Sequence, residues 1–178
     1  MQNLRTACIV IGLMIVSFIA AVAPVATQAS YSKPIEVAYH DLQPEARKQV
    51  DCLADNIYFE AGYEPRDGQQ AVALVTMNRV QSGTFPTTIC GVVKQKQNSV
   101  CQFSWWCDAR ARARHDARRM NRDVYKQAQL VALNVYLNYN RIHDITKGAL
   151  FYHADYVNPR WRNLQMTVKI GQHIFYRT

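Results

Sequence analysis

Two glutamates four residues apart close the stretch Asp55-Asn-Ile-Tyr-Phe-Glu60-Ala-Gly-Tyr-Glu64-Pro65. Glu60 stands among apolar residues. Burial disfavours a charged carboxylate and raises its pKa, the condition for an acid that must donate a proton near neutral pH. Glycoside cleavage uses such an acid. The competing role for Glu60 is a helix-end salt bridge, with Arg79 as partner. Glu64 falls on a turn, where it would orient the site or cap the next helix. Other chemistries find less support. The chain has no G-x-S-x-G elbow, phosphate-binding loop or H-E-x-x-H pair. Of its five histidines, His40 and His115 sit in polar surroundings, while His153 and His173 lie beside aromatics in expected strands. Those two read as structural residues or as acid–base partners.

The elements that must hold Glu60 are two helices joined by a short turn, within 51–80. Pro44 and Glu45 suit a first turn. Val50, Leu53, Ala54, Ile57 and Ala61 then recur at helical spacing, with Glu60 on the flank of the stripe. Gly62 ends this helix. Asp67-x-x-Gln70 reads as the next N-cap, and Ala71–Val80 is apolar nearly all round, as in a helix inside a core. After the break at Gly83 and Phe85-Pro86, Thr87 or Thr88 caps a short helix through Val93. Cys101-Gln-Phe-Ser-Trp-Trp-Cys107 reads as a strand or constrained loop, its tryptophans filling the core or stacking on sugar rings. Val124–Leu137 is amphipathic, with Val124, Ala128, Val131, Ala132 and Val135 on one face. Ala149–His153 is strand-like, and Thr167–Ile170 with His173–Tyr176 forms a hairpin about Gly171-Gln172. Helices first and a small antiparallel sheet last give an α+β class.

The 178 residues suit one domain at 41–178, after a leader at 1–29 and a flexible lead at 30–40. Arg5, the apolar run Ile9–Ala23 and the small residues Thr27 and Ala29 follow the order of a secretory signal, so export to the periplasm or cell envelope is expected. An uncleaved anchor is the alternative, although the run is short of the ~20 residues a span needs. No stable membrane insertion is expected once the leader is gone. Losing Arg5 takes the net charge from +8 to +7, which suits an anionic polymer such as a cell wall. Seven Lys/Arg lie against three Asp between Asp108 and Lys126, a basic insertion at about 108–123. It has no aromatic before Tyr125, so a nucleic-acid partner is not expected. Cys52, Cys90, Cys101 and Cys107 remain after the leader, and an exported context favours two disulfides over a metal site. Of the three connectivities, the pairing taken is Cys90–Cys101 with Cys52–Cys107.

The segment Ile57-Tyr-Phe-Glu60-Ala-Gly-Tyr-Glu64-Pro65, followed by Gly68-Gln69, Ala71-Val-Ala73 and Asn78-Arg79-Val80, resembles the cell-wall hydrolase family typified by spore cortex-lytic enzymes. The likeness continues through Phe85-Pro86, Cys90-Gly-Val-Val93, Cys101-Gln-Phe-Ser104, Cys107-Asp108 and Phe151-Tyr-His153. It closes on Pro159-x-Trp161 and Gly171-x-His173-x-Phe175-Tyr-Arg177. Gly62-Tyr63 stands where the family usually has Arg-Gly, which leaves the acids and Pro65 at their usual spacing but alters the turn.

The resemblance implies a lysozyme-like helical core and cleavage of peptidoglycan glycan strands by a lytic transglycosylase without metal or other cofactor. It implies Glu60 as the catalytic acid. Glu64, Gln102, Phe103, Trp105 and His153 are the expected substrate-contacting residues, and a monomer is expected. Two other classes stay open: an N-acetylmuramoyl-L-alanine amidase, normally metal-dependent, and a non-catalytic wall-binding module.

Overall fold

A computed structural model describes residues 35–116 and 121–178. The leader at 1–29, and with it the question of an anchor, lies outside the described residues, as does 117–120 of the basic insertion. Among the described residues no helix is long and apolar enough to cross a membrane.

Among the described residues, seven helices and five strands follow one another: α1 Ile35–His40, α2 Pro44–Ala61, α3 Arg66–Gln81, α4 Ile89–Val93, β1 Lys96–Gln97, β2 Val100–Cys101, α5 Ser104–Cys107, α6 Ala109–Asp116, α7 Arg122–Asn138, β3 Phe151–Ala154, β4 Gln165–Ile170 and β5 His173–Arg177. The expected flexible lead is therefore helical in its last six residues. Ala38, Tyr39 and Leu42 pack on the helical core, and Tyr39 donates its hydroxyl to Asp51 at 2.6 Å.

The apolar stripe of α2 is buried as its spacing requires, from Val50 to Ala61. It packs against α7, α3 and α4. Each fully buried Leu or Ile contributes roughly 1.5–3 kcal/mol, and Leu53, Ile57, Leu74 and Leu133 all lie in this one core. Helix α3 is buried on every side from Ala71 to Arg79. It begins one residue after Pro65, before the expected cap, so Asp67 lies inside its first turn. Gln69 instead ties the α2–α3 turn by donating to the carbonyls of Gly62 and Glu64 at 3.1 and 3.3 Å. Thr88 caps α4, its Oγ1 accepting from the Gly91 amide at 3.0 Å.

The disulfides differ from the expected pairing. They join Cys52 to Cys90 and Cys101 to Cys107. Packing of α4 on α2 brings the first pair to a Cα separation of 5.2 Å, and the tight turn into α5 brings the second pair to 5.8 Å. The Cys101–Cys107 segment is a short strand entering a single helical turn rather than a continuous strand or loop.

The sheet is antiparallel in the order β3-β5-β4, and a bulge lies between Met166 and Val168. Ala71 and Val75 of α3 pack with Ala149 and Phe175 beneath it. Polar groups fix the same junction. Asn78 donates to Asp144, Thr146 and the Ala149 carbonyl, and accepts from the Tyr139 hydroxyl.

Candidate active site

Glu60 occupies the last turn of α2 and is half-buried, with one side on an open cleft of about 340 Å³. The cleft follows the chain from Tyr58 to Glu64 and is closed by Gln172 from the β4–β5 turn. Alternation along β3 directs Tyr152 to the face that carries Phe175 and His173, and its hydroxyl donates to Glu60 Oε2 at 3.1 Å. Burial holds the Glu60 carboxyl above the ordinary carboxylate range, with the Tyr152 hydrogen bond and the Arg79 charge pulling the other way. The same burial, together with the Glu60 charge, pushes the Tyr152 phenol well up, so it remains a donor.

Arg79 is 2% exposed in α3. Its guanidinium lies over the rings of Phe85, Phe103 and Phe151, at 5.1, 5.3 and 5.9 Å. Rather than bonding Glu60, it donates Nε to the Leu150 carbonyl at 2.7 Å, and its buried Nη1 has no hydrogen-bond partner. Desolvation lowers its pKa, and the nearby Tyr152 and Glu60 raise it. A buried cation beside a buried acid moderates the cost of ionising that acid without neutralising it.

The remaining candidates divide by location. Glu64 lines the cleft, but its Oε2 accepts from the Gln172 amide at 3.2 Å, and Gly68 and Gly171 leave room for its side chain. Gly171 adopts φ +56°, and a Cβ there would collide with the Glu64 carboxylate. Trp105 is buried, stacked on Phe59 at 4.5 Å, and donates Nε1 to Asn56 at 3.0 Å. Phe103 is buried against Arg79. Both are inward-facing supports for the site. Gln102 is exposed in a separate depression beside the β1–β2 hairpin. His153 lies on the outer face of the sheet, away from Glu60, stacked on Tyr176. His173, the other histidine, is 7% exposed, and burial lowers its pKa against the charges of Glu64 and Asp155.

Tyr152, Arg79 and Gln172 were not singled out as site residues from sequence. The signal for Tyr152 was its place beside His153 on a short strand, where neighbours face opposite ways. The sequence suggests Arg79 only as a salt-bridge partner, yet it is the one cation in the mostly apolar run Ala71–Val80, which marks a buried charge. Tyr63, 83% exposed on the cleft rim, stands at the departure from the family core. Gly62 has an ordinary helical φ of −58°, but a Cβ there would meet the Tyr58 carbonyl at 2.5 Å. Among the described residues, no three of His, Cys, Asp or Glu converge as a metal-ligand set.

Fold and site together define an α+β protein with a half-buried glutamate, Glu60, beside an open cleft, where a helical core meets a small sheet. The chain belongs to the cell wall hydrolase family, whose profile matches residues 63–176, beginning three residues beyond Glu60. It is 30% identical over 137 residues to a spore cortex-lytic enzyme of Oceanobacillus iheyensis, covering 75% of this chain and 43% of that one. A spore cortex-lytic enzyme of Bacillus cereus is 30% identical over 132 residues, covering 73% and 44%. The chain thus spans less than half the length of these curated relatives. Among solved structures, the catalytic domain of the germination-specific lytic transglycosylase SleB from Bacillus anthracis superposes with a TM-score of 0.55 at 29% identity. That match covers 74% of this chain and 95% of that one. The catalytic domain of the Bacillus cereus SleB protein gives 0.50 at 28% identity, covering 77% and 94%. These likenesses agree with a lysozyme-like helical core.

Proposed function

We propose that this chain degrades peptidoglycan as a lytic transglycosylase, cleaving between N-acetylmuramic acid and N-acetylglucosamine with Glu60 as its single acid and base. The observation that carries the reading is Glu60 itself, held above the usual carboxylate range by burial and open to a cleft on one side. Protonated Glu60 donates to the glycosidic oxygen as the bond from C1 of the muramyl sugar breaks. The carboxylate so formed takes the proton of the muramyl 6-hydroxyl as that oxygen attacks C1, closing an anhydro ring. One carboxylate serves both steps because the second nucleophile is intramolecular. Tyr152 orients the carboxyl through Oε2, and Arg79 steadies the anion between the two steps. Glu64 is committed to the Gln172 amide, which supports a supporting role for it and disfavours a paired-acid mechanism.

Export accompanies this substrate, since peptidoglycan lies outside the cytoplasm and both disulfides belong to an oxidising compartment.

The decisive test is Glu60→Gln on purified sacculi, with mass analysis of released muropeptides. Turnover should fall by about 10²–10⁴-fold, the usual contribution of a positioned general acid. Undiminished turnover removes Glu60 as the acid. Reducing-end products without anhydro sugar make the enzyme a hydrolase, and free stem peptides make it an amidase.

A further inference from the structure

We infer that the outer face of the sheet carries a second saccharide-binding site, centred on Trp161, which holds an N-acetylated sugar of the same glycan strand at a distance from Glu60. The inference rests on the glycan-cleaving reading for its ligand, and on a separate pocket for its geometry.

That pocket has a volume of about 340 Å³ and lies between the sheet and the loop 155–164. Trp161 is 44% exposed and lines this pocket, so part of its ring is open to a ligand. Three rings hold it in edge contact: Phe151 at 6.0 Å, His153 at 5.5 Å and Tyr176 at 5.7 Å. His153 is itself locked. Its Nδ1 donates to the Ala154 carbonyl at 2.8 Å, so its Nε2 accepts from the Tyr176 hydroxyl at 3.0 Å. The platform is therefore rigid before anything binds, which lowers the entropic cost of binding.

The lining chooses the ligand class. Its polar members are planar groups of the kind that bond hydroxyls and acetamides: Asp155, oriented by Lys169 at 2.7 Å, and Asn158, which has no hydrogen-bond partner among the described residues. In a chain of net charge +8, no Lys or Arg lines this pocket, and its one formal charge is negative. An aromatic face flanked by neutral and acidic planar groups suits a sugar ring, whose apolar face stacks while its edge hydrogen-bonds.

Two connections tie the pocket to the Glu60 cleft. The Asp155 amide donates to the carbonyl of Gln172 at 2.7 Å, and Gln172 lines that cleft. Trp161 also touches Phe151, whose ring lies under the Arg79 guanidinium. The two sites are thus linked through the hairpin tip, which a strand long enough to engage both would have to pass.

Binding is best measured in a Glu60→Gln background, where the strand is not consumed. Trp161→Ala should weaken retention on purified sacculi about fivefold to tenfold, the scale of one lost aromatic contact. In the enzyme with Glu60 intact, the loss in kcat/KM should fall on KM. A soluble tetramer of N-acetylglucosamine should compete for retention, and stem peptide should not. Asn158→Ala, which removes an exposed side chain, should weaken retention in the same direction if Trp161→Ala lowers the melting temperature. Unchanged retention in both variants overturns the inference, as does competition by stem peptide alone, or a loss confined to kcat. Glu60→Gln turnover decides the acid role independently, so either reading can fail without the other.

Discussion

Glu60 faces opposed influences: surrounding protein disfavours its charge, while Tyr152 and Arg79 favour it, and burial is the largest of the three. An acid whose pKa is raised on folding costs nothing below its ordinary value of 4.5. The cost begins as pH rises through that value and is complete above the folded-state pKa. Glutamine never ionises. Relative to pH 4, the melting temperature of Glu60→Gln should therefore climb above wild type by pH 7, by roughly 2–4 °C per ~1 kcal/mol of ionisation cost. A difference that is flat with pH would show that Glu60 is not held protonated by the fold. Glu60 was legible in the sequence because it sits at the edge of a clear stripe. Tyr152 was not, because a four-residue strand gives little pattern from which to read a face. The tryptophans pointed either way from sequence and Phe103 was expected on the cleft wall, whereas Trp105 stacks on Phe59 and Phe103 lies buried against Arg79.

Helices α2, α3 and α7 were readable because a long apolar periodicity survives whatever surrounds it. Disulfide pairing was not, because it depends on which helices lie side by side. The observed pairing has a consequence for stability. Cys52–Cys90 spans 38 residues and links two helices of the core, whereas Cys101–Cys107 closes a loop of six. Chain entropy assigns about 4 kcal/mol to the first and about 2 kcal/mol to the second. Replacing Cys52 and Cys90 together by Ser should thus lower denaturant stability clearly more than replacing Cys101 and Cys107. Equal losses would mean that local geometry, not loop length, sets their worth. The start of α3 lies two residues before the one that a cap at Asp67 would give, for a related reason. Asp67 looked like a cap, but Gln69 answers the turn's carbonyls from inside the helix.

Among the described residues, hydrogen bonds join sheet and helical core at Asn78 to the loop before β3, Arg79 to Leu150, Glu60 to Tyr152 and Glu64 to the hairpin tip. The hairpin itself was legible from Gly171-Gln172, but the site of its docking was not, since residues 64 and 172 are 108 positions apart. Gly171→Ala adds left-handed strain and a collision with the Glu64 carboxylate. It should cost about 1–2 kcal/mol from the backbone alone, and more while Glu64 is present. A double-mutant cycle with Glu64→Ala measures the coupling, and strict additivity would mean that the tip does not dock through Glu64. The join between core and sheet has one further effect. Glu60 and the tyrosine that bonds it are separated by 92 residues, so their hydrogen bond exists only where helix and sheet have come together. A chain with its helices formed but its sheet undocked lacks that bond, and the geometry around position 60 is therefore a property of the finished fold and not of the helix that carries the residue.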